Sequence, residues 1–92
     1  MTYSIVARDR ETGHFGIAVA SRFFAVGCAV PFLKGQVGAV ATQAFVNPTY
    51  GPDGLRLLEA GAPPAAIVPI LTDRDNGHAN RQFHLIDAQG RN

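Results

Sequence analysis

The sequence predicts an α+β domain of which these residues supply only a part, and three observations carry that expectation. Two short runs rich in β-branched and aromatic residues, Thr2–Arg8 and Phe15–Ser21, flank a charged turn at 9–13, as the two strands of a hairpin do. The run at 37–45 is apolar at successive positions and reads as a strand covered on both faces, which demands a further layer on each side. The last strand-like run, Arg81–Asp87, leads into a turn at 88–91 with no returning strand before Asn92. Natural domains avoid an edge left without its partner, so completion by a missing segment or a partner chain is expected.

Composition bounds the class. A chain of 92 residues, 47% of them hydrophobic, has room for one core. Eight Lys and Arg against seven Asp and Glu give a net charge of +1 with no basic run, which sets nucleic acid aside as a partner. No stretch approaches the roughly 18 consecutive apolar residues of a membrane span, and the N-terminus lacks the basic-then-apolar pattern of a secretory signal. No membrane partner is therefore expected, and a cytoplasmic location is. The single cysteine, Cys28, cannot form an internal disulfide.

Taken in order, the second strand alternates Phe15, Ile17 and Val19 on one face with Gly16, Ala18 and Ala20 on the other. The second of these faces is nearly bare and lets a neighbouring layer or a substrate come close. Residues 27–30 read as a short strand ended by Pro31, and 32–36 as a turn. Residues 47–54, with prolines at 48 and 52 and glycines at 51 and 54, read as a structured loop. Asp53 is placed to cap a helix over 54–60, with Gly61 just past its end and Leu55, Leu57 and Leu58 as its apolar face. Pro63 and Pro64 suit the start of a second helix through Leu71, which Pro69 should kink by removing one internal hydrogen bond. After a polar connection at 72–80, residues 81–87 alternate Phe83 and Leu85 against Gln82, His84 and Ile86, as a strand should.

Four stretches, at 2–9, 16–27 (Gly-Ile-Ala-Val-Ala-Ser-Arg-Phe-Phe-Ala-Val-Gly), 37–44 and 47–55 (Asn-Pro-Thr-Tyr-Gly-Pro-Asp-Gly-Leu), together resemble the bacterial and archaeal family of unknown function designated DUF1028. The resemblance covers essentially the whole chain. It implies the fold of the N-terminal nucleophile (Ntn) hydrolases, a four-layer αββα sandwich of two central sheets between helices. It also implies full-length proteins more than twice as long as this chain, and the peptidoglycan-binding domain that some members carry is a hint of cell-wall chemistry.

In an Ntn hydrolase the nucleophile is a Thr, Ser or Cys at the start of the first strand, and its own freed α-amino group is the base. An α-amine titrates near pH 8, close to working pH, where a lysine would need a large shift. Thr2 occupies that place once Met1 is removed; the plain alternative is an ordinary strand residue. Ser4 points the same way as Thr2. Ser21, at the end of the second strand, is positioned to orient the nucleophile or to make a strand-end hydrogen bond. Lys34 lies in the turn before a central strand, where the resemblance implies a lysine that lowers the nucleophile's pKa; a surface lysine is the commoner case. Thr42, Gln43 and Asn47, at the exit of the buried strand, are candidate neutral donors to a developing oxyanion, with Asn47 equally suited to capping its own loop. Tyr50 either lines the pocket or packs beneath the loop. His14, His78 and His84 show no metal-ligand spacing, so no metal and no cofactor are expected.

Two functions follow. The first is an Ntn-type amidohydrolase acting on a small amide or peptide-like substrate through Thr2, of a kind that often cuts its own precursor. The second is a non-catalytic sandwich that binds a metabolite or cell-wall fragment and assembles as a homo-oligomer.

Overall fold

The computed structural model describes residues 1–92. Strands β1 (Thr2–Arg8) and β2 (Phe15–Ser21) form an antiparallel hairpin in which Thr2 faces Ser21 and Arg8 faces Phe15. Its turn is closed from within. The Asp9 carboxylate accepts the backbone N–H groups of Glu11 (2.8 Å) and Thr12 (3.1 Å), and Gly13 takes the left-handed conformation at φ 75°.

The chain then departs from expectation. Residues 27–30 are not a strand: Val26–Ala29 forms a single helical turn, α1, after Ala25 enters the left-handed region at φ 56°. The strand begins at the proline instead, with β3 at Pro31–Lys34, where a turn was expected over 32–36. The physical reason is position. β3 lies at the edge of a three-stranded antiparallel sheet of order β3-β4-β5, and proline is tolerated as the first residue of an edge strand. The small residues of 27–30 carry no alternation to hold them in a sheet.

β4 (Gly38–Ala44) is the centre of that sheet and β5 (Arg81–Asp87) its other edge, and β4 is buried from Gly38 to Gln43. Both faces of β4 are covered, as its composition requires. On one side Val40 and Leu85 pack with Tyr50, Leu58, Ile67 and Leu71 from two helices to form the core. On the other, β4 and β5 meet the hairpin. The outer face of the hairpin, which carries Tyr3 (67% exposed), Ile5 (62% exposed) and the bare positions Gly16, Ala18 and Ala20, is open.

Helix α2 runs over Tyr50–Glu59, a turn earlier than expected, so the anticipated loop at 47–54 is helical from Tyr50 onward. Asn47 closes the entry: its Oδ1 accepts the Thr49 N–H (3.0 Å) and the Thr49 hydroxyl (2.7 Å). Asp53 is therefore not the cap but a first-turn residue, paired with Arg56 (2.9 Å) and with Arg74. The helix starts early because its glycines serve the packing. A Cβ on Gly51 would overlap the Phe32 ring, and one on Gly54 would stand 3.2 Å from Val40 Cγ2, so bare positions let the helix sit close to the sheet.

Gly61 follows α2 at φ 93°, as the end of the helix requires. Helix α3 (Pro64–Asp73) continues through Pro69, which lies on its exposed side. The carbonyl that would pair with residue 69 belongs to Ala65, which is also exposed, so its loss of an internal partner leaves no buried polar group. No helix is long and apolar enough to cross a membrane.

Candidate functional site

The two faces of the central sheet differ in chemistry, and strand alternation is the cause. Val40 and Thr42 point to the helices, while Gln43, on the neighbouring position of β4, points to the hairpin. On β5, Phe83 and Leu85 join the core while Gln82 and His84 face the hairpin. Polar side chains thus gather between the two sheets.

At one end of this space the sheets part into a cleft of about 560 Å³. Its floor and walls come from the start of β1 (Met1, Thr2), the end of β2 (Ser21), the following Arg22 and Phe23, the α1 segment (Val26, Ala29, Val30), and the ends of β4 and β5 (Gln43, Gln82). The Thr2 hydroxyl lies 2.9 Å from the Ser21 hydroxyl, its direct cross-strand partner. The Thr2 carbonyl accepts the Gln43 Nε2–H at 3.1 Å, which ties the first residue of β1 to the facing sheet.

A hydrogen-bond chain supports that tie. Gln43 Nε2 donates to two carbonyl oxygens, that of Thr2 and Gln82 Oε1 (2.9 Å), so Gln43 Oε1 is an acceptor. The Ser4 hydroxyl donates to it at 2.6 Å. Having spent its only proton, Ser4 accepts from His84 Nε2, 2.9 Å away, which places the imidazole proton on that nitrogen. Burial holds the His84 pKa below its ordinary value. Ser4 and His84 consequently do not form a nucleophile and base in this state, since the ring is the donor and the serine proton is committed elsewhere.

Of the anticipated residues, Thr2, Ser21 and Gln43 line one cleft, and Ser4 joins them through Gln43. The structure does not bring in the others. Lys34 points to the helix side, where its ammonium pairs with Glu59 at 2.7 Å. Thr42 is fully buried on the helix side, and its hydroxyl has no hydrogen-bond partner. Asn47 closes the entry to α2 and reaches Asp75 at 3.4 Å. Tyr50 is fully buried, edge-on to Phe83 at 4.7 Å between ring centroids, and donates to Asp75 at 2.6 Å.

Those last two belong to a clasp centred on Asp75. Its carboxylate accepts Tyr50 Oη–H, Arg81 Nε–H (2.9 Å) and the Gly77 N–H (2.9 Å), and Arg81 also donates to the Phe45 carbonyl at 2.7 Å. Arg81 first, then Tyr50, hold the Asp75 carboxyl well below the usual range. Burial, then the Asp75 carboxylate, push Tyr50 up to about 12. Every strong donor there is spent within the fold, so the clasp has a structural task.

Sequence reading missed Gln82, His84 and Arg22. Gln82 and His84 alternate with apolar residues, a pattern that ordinarily marks the solvent side of a strand; the second sheet partly covers His84, while Gln82 stays exposed at the border of the cleft. Gln82, an exposed residue, borders the cleft, and its Oε1 accepts from Gln43. No group of three or more His, Cys, Asp or Glu side chains is arranged to hold a metal ion.

Comparison with known proteins gives one family and one fold. The chain is similar to the crystal structure of protein SPO2555 from Silicibacter pomeroyi, described as DUF1028, with 35% identity and a TM-score of 0.93. The match covers 98% of this chain and 42% of that one, so the residues described span less than half the length of that relative. No match is found among curated proteins. The model of the family of unknown function DUF1028 matches residues 2–92, and the chain belongs to that family.

Proposed function

We propose that the chain carries the nucleophile-bearing part of an Ntn-type amidohydrolase, the two sheets being the centre of an αββα sandwich completed by further chain. One observation supports this above the others: the Thr2 hydroxyl opens onto a cleft between two stacked sheets, beside a second hydroxyl and with its backbone tethered from across the gap.

Removal of Met1 frees the Thr2 α-amine. The amine takes the Oγ1 proton as Oγ1 attacks the carbonyl carbon of the substrate amide, and a C–O bond forms. The oxyanion so made is met by neutral donors, for which the Gln82 amide at the border of the cleft is the candidate on this side. Collapse breaks the C–N bond, and the departing amine carries away the proton held by the α-ammonium. Water then cleaves the ester on Thr2 by the same steps in reverse roles, releasing the acid. Ser21 orients Oγ1 through the 2.9 Å contact.

A second reading, a silent binding sandwich that oligomerises, has its own support in the exposed apolar strip of Tyr3 and Ile5 on the outer face of the hairpin. A panel of small amides and short peptides, incubated with the full-length protein and with its Thr2→Ala variant, separates the two. Turnover that disappears in the variant is the expected result. Equal turnover by both proteins, or none by either, overturns the nucleophile assignment.

A further inference from the structure

Resting on the reading of Thr2 as nucleophile, we propose that Arg22 selects the substrate by pairing with a carboxylate, so that the cleft takes amides bearing a carboxylate within a few bonds of the scissile carbonyl.

Charge bookkeeping leads there. Five of the eight Lys and Arg side chains are matched to carboxylates: Lys34 with Glu59, Arg56 and Arg74 with Asp53, Arg81 with Asp75, and Arg91 with Asp87. Of the three without an ion pair, Arg8 and Arg10 sit at the turn end of the hairpin, opposite to Thr2. Arg22 alone lines the Thr2 cleft, and it makes no ion pair there. The cleft contains no Asp or Glu to answer it. The α-amine of Thr2, when protonated, adds charge of the same sign.

An exposed arginine on the border of a cleft lined by no carboxylate favours an anionic ligand there, and its planar fork suits a carboxylate in two-point contact. Shared lining of the cleft sets the neighbourhood of that carboxylate. Arg22 directly follows Ser21, whose hydroxyl touches that of Thr2, so cation and nucleophile are separated by one residue of β2 and one hydrogen bond. The rest of the lining sets the remainder of the ligand: Val26, Ala29 and Val30 offer an aliphatic wall, and Gln82 a neutral amide. The class that fits is an N-acylated amino acid or the carboxyl end of a short peptide.

The test is a pair of probes that differ only in charge, N-acetylglycine and N-acetylglycinamide, titrated into the full-length protein and followed by NMR, in wild type, Arg22→Gln, Arg22→Lys and Thr2→Ala. Wild type should bind the acid about tenfold more tightly than the amide, the scale of one charge-assisted contact. Arg22→Gln should lose the preference, Arg22→Lys should keep part of it, and Thr2→Ala should keep it whole, because recognition does not require the nucleophile. Equal affinity for both probes in wild type, binding of neither, or a preference that survives Arg22→Gln overturns the proposal. The reading of Thr2 is judged separately, on whether amide turnover survives Thr2→Ala, so either can fail alone.

Discussion

The two faces of the β3-β4-β5 sheet use the same strands to opposite ends. Toward the helices, Val40 and Leu85 meet Tyr50, Leu58, Ile67 and Leu71 in an apolar core whose polar members close on one another around Asp75. Toward the hairpin, the neighbouring positions of the same strands carry Gln43, Gln82 and His84, held in a chain of hydrogen bonds that ends at Thr2 beside open space. A face whose polar groups, the Thr42 hydroxyl apart, are paired inside the fold stabilises; a face that ends in a tethered hydroxyl, a neutral amide and an arginine without an ion pair has capacity left for a ligand.

That contrast breaks first under truncation of the core. Leu71 is fully buried among Val40, Tyr50 and Ile67, so Leu71→Ala should cost about 2–5 kcal/mol of unfolding free energy, read from urea titration of the full-length protein. A cost near zero would mean that the helix side is not the stabilising one. A smaller change of opposite sign is expected at Thr42. Its buried hydroxyl has no partner, so Thr42→Val, which keeps the shape and removes the unmet group, should stabilise by about 1 kcal/mol. Destabilisation would show that the hydroxyl is engaged and would return Thr42 to the candidate site.

The mildest effect separates the faces by pH. His84, with its pKa lowered by burial, binds protons less readily folded than unfolded, so stability falls as pH drops below about 6.5, the ordinary histidine value. Asp75, held low by Arg81 and Tyr50, contributes stability that is full above the unfolded pKa of about 3.9 and is lost as pH falls through the folded value. His84→Gln should therefore flatten the stability curve just below about pH 6.5. Asp75→Asn should remove part of the steeper loss below about pH 4, with Asp9 and Asp87, also lowered, keeping the rest. A shared window for both variants would mean that the two faces titrate as one unit.

How much of this was legible beforehand depended on whether the signal was local. The bounds of β1 and β2, the burial of β4 on both faces and the left-handed Gly61 were all readable, because alternation and turn chemistry act over a few residues. What failed depended on neighbours distant in sequence. Residues 27–30 have strand composition but no partner that would pair them, and Pro31 starts a strand only because β3 is an edge. The helical start at Tyr50 depends on Phe32 and Val40 admitting bare glycines. Grouping Thr42 with Gln43 overlooked the alternation that sends them to opposite faces, and His84 looks like a solvent-side residue until a second sheet partly covers it.

The α-amine of Thr2 must be free for the chemistry proposed, so the mass of the N-terminal peptide of the full-length protein, purified from its natural source in active form, is the most direct test. The account predicts a peptide that begins at Thr2. A peptide that retains Met1 in material that hydrolyses amides would contradict it.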